Sequence, residues 1–166
     1  MINHCKENLE EIKKVISLIN KEQYTYKSKT LSNASIGQHI RHILEFYLSL
    51  INGLSKGIVN YDLRARDMEL ENNPDYAKQF VDEICCHIAT IGTHAKLELA
   101  GSFSPKENQR ITIQTSVNRE LAYCLEHSIH HQALIKIGFM EQGLDHLISQ
   151  NWGVAPATIK YKETLV

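Results

Sequence analysis

The stretch SIGQHIRHILEFYLSLINGL, residues 35–54, decides how the chain is read. Ile36, Ile40, Ile43, Tyr47, Leu50, Ile51 and Leu54 fall at the i, i+4, i+7, i+11 spacing of one broad helical face. Ser35 stands where an N-cap belongs and Gly57 where a helix can close. A face this apolar must be buried, so the helix calls for partners. Two histidines, His39 and His42, ride on it three positions apart. His39 lies nearer the centre of the stripe and His42 on its flank. Periodicity therefore slightly favours His39 as the more buried ring, but does not choose a ligand between them.

Similar stripes lie on either side. Leu9, Ile12, Ile16 and Ile19 predict a helix over about 6–19, and the polar stretch NKEQYTYKSKTLSNA follows it. Beyond Gly57, NYDLRARDMELENN reads as a long charged loop. Asn73 is a natural N-cap, Pro74 suits the first helical position and Asp75 the positive end of the dipole. Phe80, Ile84, Ile88 and Ile91 carry that third helix toward residue 95. The period then changes. LELAGSF and RITIQTS look extended, with SPKEN between them as a turn. A fourth helix is expected over about 117–139, capped by Ser116, with Leu121, Leu125, Ile129 and Ile135 on its apolar side. The tail GLDHLISQNWGVAPATIKYKE suggests a short helix, a turn at WGVAP and a last helical turn. The expected fold is all-α: a four-helix bundle in one domain, residues 1–166, with a small hairpin insertion before the last long helix.

A chain of 166 residues buries enough surface to fold without disulfides or metals as staples. Its net charge of −1 carries no basic stripe, so nucleic acid is not the expected partner. No apolar run approaches the ~20 residues that cross a bilayer, so no membrane partner is expected either. Cys5, Cys85, Cys86 and Cys124 form no CxxC pair, and helical neighbours such as Cys85 and Cys86 do not normally bridge. The opening MINHCKENLE is polar from the start and shows no apolar run of the signal-peptide kind. Free thiols and a cytoplasmic location are the expectation.

Chemistry concentrates in EHSIHHQALI, residues 126–135. On a helix His127 and His131 differ by about 40° in direction and ~6 Å along the axis, so both imidazoles can reach one ion. His130 lies about 60° from His127 and about 100° from His131, too far round to share it easily. This is not the HExxH protease motif, because Ser128 occupies the glutamate position. A helical histidine pair alone is more often surface or core than metal site. The second pair, His39 and His42, strengthens the metal reading by offering a third ligand.

SIGQHIRHILEFY resembles the second-helix segment of the DinB-like (DinB/YfiT-like) superfamily of metal-dependent enzymes, and RELAYCLEHSIHHQALI resembles its later H-x-x-x-H helix. NWGVAPATIKY and VNYDLRARDMELE are similar to one subgroup, so the resemblance covers nearly the whole chain. It implies a four-helix bundle holding a divalent metal with three histidines, and places them at His42, His127 and His131. His39 then becomes a neighbour one turn earlier. The family name implies neither a polymerase nor DNA binding. One departure bears on the ligands' surroundings: many relatives follow the last ligand with Arg-Gly-Gln, whereas this chain has Gln132, Ala133 and Leu134.

Three imidazoles leave zinc or nickel an open position, and iron or manganese accept imidazole as well. Some relatives are transferases or isomerases that use a low-molecular-weight thiol. The resemblance thus implies a thiol-dependent transferase or a hydrolase acting on a small molecule, and homodimers are common in the family. The alternative is a non-catalytic protein in which the ion ties helices together. Glu45, three residues past His42, is the candidate to orient that ring or accept a proton, against the plain reading of a solvated glutamate. Cys124 is a better core residue than ligand. Tyr123 and His130 are candidates to line the mouth. Arg64 and Arg66 could hold the carboxylate of a substrate or thiol. Pairing with Asp62, Asp67 or Glu71 to order the loop is the reading the residues favour.

Overall fold

The computed structural model of the chain describes residues 1–92, 95–105 and 110–164. In order the elements are α1 (Ile2–Ile16), α2 (Lys21–Thr25), α3 (Ile36–Leu54), β1 (Ile58–Val59), α4 (Met68–Asn72), α5 (Pro74–Ala89), β2 (Lys96–Gly101), β3 (Ile111–Ser116), α6 (Val117–Glu141) and α7 (Pro156–Glu163). The protein is mostly helical, with one small sheet. The four long helices touch in a closed round: α3 lies on α5 and α6, and α1 lies on the same two. Stripe residues of every long helix meet in one core, among them Leu9 and Ile12 of α1, Ile40 and Tyr47 of α3, Ile84 of α5 and Leu121 of α6.

Capping explains where these helices start. The side chains of Ser35, Asn73 and Ser116 accept from Gln38 N–H, from Asp75 and Tyr76 N–H, and from Arg119 N–H respectively. Each satisfies donors the first helical turn leaves free. Ends were harder to read. α5 stops at Ala89 rather than near residue 95, because Thr90 N–H turns back to the carbonyls of His87 and Ile88. α1 ends at Ile16, although Ile19 continues its buried stripe.

The sheet amends the all-α expectation. β2 pairs antiparallel with β3, from Lys96↔Ser116 to Gly101↔Ile111, as the hairpin insertion before α6. The expected turn falls partly on residues 106–108, which lie outside the described residues. A third strand joins it: β1 runs parallel to β2 with Ile58↔Glu98 and Val59↔Leu99. Two residues are too short to display a period of two, so β1 is invisible in the sequence pattern. The charged loop after it is also more ordered than expected. It holds a 3-10 turn at Tyr61–Leu63 and the five-residue helix α4, capped by Asp67.

The far end of α6 is tied to the segment after α2 through one carboxylate. Glu141 accepts the hydroxyls of Ser28 and Thr30 and the backbone N–H groups of Lys29 (3.0 Å) and Thr30 (2.9 Å). The hydroxyls of Thr30 and Ser28 hold its pKa at about 2, below the ordinary 4.5. A depressed carboxylate pKa stabilises the fold above the ordinary value, and that contribution fades as pH falls through the folded value. Thermal melts at a series of pH values should therefore find Glu141→Gln less stable than wild type near pH 7, with the gap closing between about 4.5 and about 2. A gap independent of pH would sink this account.

Candidate metal centre

Helices α3 and α6 pack side by side, and each aims histidines at the other. His42 Nε2 lies 2.8 Å from His127 Nε2 across the seam. The ring centroids of His42 and His131 are 4.4 Å apart, those of His127 and His131 4.6 Å, and those of His42 and His127 5.0 Å. One nitrogen from each of the three rings lies within 4.8 Å of the other two, and all three residues are half-buried. The structure thus brings His42, His127 and His131 together. Two zinc–nitrogen bonds of ~2.0–2.1 Å span about 4 Å, so small side-chain adjustments suffice for these nitrogens to share one ion. The group could bind a divalent metal.

Electrostatics suits that donor set. Burial, followed by the Arg64 guanidinium, pushes His42 down to about 3. Burial, followed by His130, lowers His127 to about 4, and burial, followed by His42, lowers His131 to about 2. Desolvation penalises the charged ring in each case, so at neutral pH all three are neutral imidazoles, each with one lone pair. His39 falls outside this group of three. Its Nδ1 lies 2.9 Å from His131 Nδ1, and its ring, half-buried like that of His42, stands one turn back on α3.

An aromatic wall flanks the cluster. Phe46, one turn after His42, stacks on His127 at 4.1 Å and on Tyr61 at 4.7 Å. Tyr123 also stacks on His127, with centroids 5.7 Å apart, and its ring lies 6.0 Å from that of Phe46. His130 is exposed, its ring 5.4 Å from that of His131. The spacing of Phe46 from His42 was a usable signal that the sequence reading passed over. Tyr61 had none, because it arrives from a loop. Its hydroxyl donates to the fully buried Glu120 at 2.7 Å and lies 3.8 Å from Cys124 Sγ, which is a buried core thiol.

The two loop arginines part company. The Arg64 guanidinium sits 4.9 Å over the Phe46 ring, donates to the Tyr61 carbonyl and has its Nε 3.8 Å from Glu45. Arg66 is exposed, with φ +56°. Glu45 is buried, and its hydrogen bond and ion pair both go to this loop: Asp67 N–H donates to it at 2.7 Å. Loop ordering by ion pairing is therefore observed, but with Glu45 as the carboxylate on Arg64. The three acids expected there have other partners. Asp62 accepts from Ser102 N–H at the hairpin, Asp67 caps α4, and Glu71 pairs with Arg41 at 2.9 Å and Lys27 at 3.1 Å. All four cysteines are free, and no described helix is long and apolar enough to cross a membrane.

Comparison with known proteins adds a family to this geometry. A model described as the DinB family matches residues 1–147. FK506-binding protein 5 of Rhizopus delemar is 28% identical over 148 residues, which cover 87% of this chain and 33% of that protein. The chain thus spans about a third of that relative's length. No solved structure matches the chain.

Proposed function

The chain belongs to the DinB family, and on that premise we propose that it is a metal-dependent enzyme whose ion is held by His42, His127 and His131. One observation carries the reading: three imidazoles from two helices, 85 positions apart at the nearest pair, offer their nitrogens to one point. The four long helices serve as the bundle that fixes those rings. When bound, zinc or nickel, or iron or manganese in their place, supplies Lewis acidity that activates water or a low-molecular-weight thiol. The three rings would hold the ion as neutral donors, and three protein ligands would leave it a position for a small molecule. Phe46 and Tyr123 would hold the His127 ring by stacking on it, with Tyr61 stacked behind Phe46. Arg64 would take a carboxylate of substrate or thiol, and Glu45 would act by holding Arg64 and the loop in position. Among the described residues the group holds three histidines, which favours this reading over an ion that only ties α3 to α6, because a purely structural site is normally closed by a fourth ligand.

Cobalt(II) makes the reading testable, since its visible bands report both occupancy and thiolate ligation. Reconstituted protein is expected to take up about one cobalt per chain with three nitrogen ligands. Added cysteine should then produce a sulfur-to-cobalt band at lower concentration than cysteamine, which lacks the carboxylate for Arg64. Cobalt binding with no thiol response removes the thiol-dependent reading and leaves hydrolysis or an ion that only ties the helices. Failure to bind cobalt, zinc or nickel overturns the proposal.

A further inference from the structure

α3 and α6 run antiparallel at the seam, and the histidines on them meet in two rungs. His42 faces His127, and three residues back on α3, His39 faces His131 four residues on along α6. The first rung belongs to the group of three nitrogens. In the second rung only His131 does.

We propose that His39 is a positioning residue: its Nδ1 accepts a hydrogen bond from His131 Nδ1–H, which fixes the His131 ring and leaves His131 Nε2 as the atom that binds the cation. This rests on the reading of His131 as a metal ligand. A neutral imidazole has one N–H and one lone pair. The Nδ1–Nδ1 distance is 2.9 Å, so one ring donates and the other accepts. If His39 donated, the lone pair of His131 would be spent on the bond and its remaining nitrogen would carry the proton, leaving nothing for a metal. If His131 donates, its Nε2 lone pair is free. Only the second arrangement is compatible with His131 as a ligand. A metal-binding histidine held through its other N–H is a recurring arrangement, though the acceptor is more often a carboxylate or carbonyl. Here the acceptor is a second imidazole. His39 Nε2 is buried with no partner among the described residues, so the Nδ1 contact is the one that fixes its orientation.

Two variants and one spectroscopic measurement decide the matter. His39→Phe keeps a ring of similar size but removes the acceptor, whereas His39→Gln offers an amide oxygen to the same N–H. Zinc affinity, measured by competition with a chromophoric chelator, is expected to fall by roughly tenfold to a hundredfold in His39→Phe, with binding still at one ion per chain. His39→Gln should recover most of that loss, which a purely structural role for the ring would not predict. Nitrogen-15 correlation spectra of metal-free wild type should place the His131 proton on Nδ1, and His39→Phe should abolish that preference. Zinc affinity in His39→Phe within about twofold of wild type would overturn the proposal, as would a wild-type His131 protonated on Nε2. Wild type that binds no metal would sink the metal-enzyme reading and, with it, His131 Nε2 as the cation-binding atom, leaving the His39–His131 hydrogen bond to be tested by itself. The tautomer spectrum, recorded without metal, still decides the role of His39.

Discussion

Loaded with one divalent ion per chain, the protein is expected to lose it on purification when His42, His127 or His131 is replaced by alanine. Each affinity should fall by on the order of a hundredfold or more, since even an outer hydrogen-bond partner of a ligand is worth ten- to a hundredfold. The expectation follows from how the nitrogens are distributed. α6 contributes two and α3 one, so His42→Ala leaves a pair on one helix, while His127→Ala or His131→Ala leaves one ring on each side of the seam. Neither remnant matches three-point capture. His130→Ala is the matched control: its ring is 5.4 Å from His131, yet it is exposed and outside the group of three. Metal content by emission spectrometry, beside far-ultraviolet dichroism to confirm folding, checks all four. Full metal content in His42→Ala would remove α3 from the site, and with it the idea of a centre shared between helices.

Gly37→Ala is expected to be the most damaging of the single-methyl changes in α3. Helix propensity argues the other way, since alanine in a helix interior outdoes glycine by ~1 kcal/mol. Packing reverses the sign. A Cβ at residue 37 would lie 2.1 Å from the Glu71 carbonyl oxygen and 2.5 Å from Tyr24 Cε1. The first of these is backbone at the foot of α4, and the second belongs to a fully buried ring whose hydroxyl is committed to the Leu70 carbonyl at 2.7 Å. Neither can step aside locally. α4 would have to lift, taking with it the Glu71 carboxylate that pairs with Arg41 and Lys27. The expected cost is about 3 kcal/mol, or roughly 6–12 °C in Tm for a chain of this size. Calorimetry of the metal-free variant is the check. An unchanged or raised Tm would show that α4 does not approach α3 so closely.

Gly37 also marks where reading the sequence stops working. One-dimensional patterns report how a segment meets an apolar environment and where its backbone donors need caps. Ser35, Asn73 and Ser116 were legible for that reason, and so were the buried faces of the four long helices. The histidines were legible as a set, because H-x-x-x-H and His39/His42 each sit at helical spacing. Choosing His42 over His39 was not possible from periodicity, and the structure explains the difficulty: both rings are half-buried and both meet an α6 histidine. Partners brought by loops were hidden altogether. Glu45 looked like an outrider of His42, but its carboxylate receives Asp67 N–H from 22 positions away. Tyr61 reaches Glu120 across 59. Such pairings depend on where the chain returns, which neither spacing nor composition encodes.

The 85 positions between His42 and His127 also constrain the history of each molecule. A nascent chain that has released α3 offers a passing cation His42 and its neighbour His39 without the α6 rings, no better than a short peptide would. The donor cage does not exist until α6 has been synthesised and has docked. On the proposed reading, loading would come after folding, and metal content would report on molecules whose α3 and α6 have already packed.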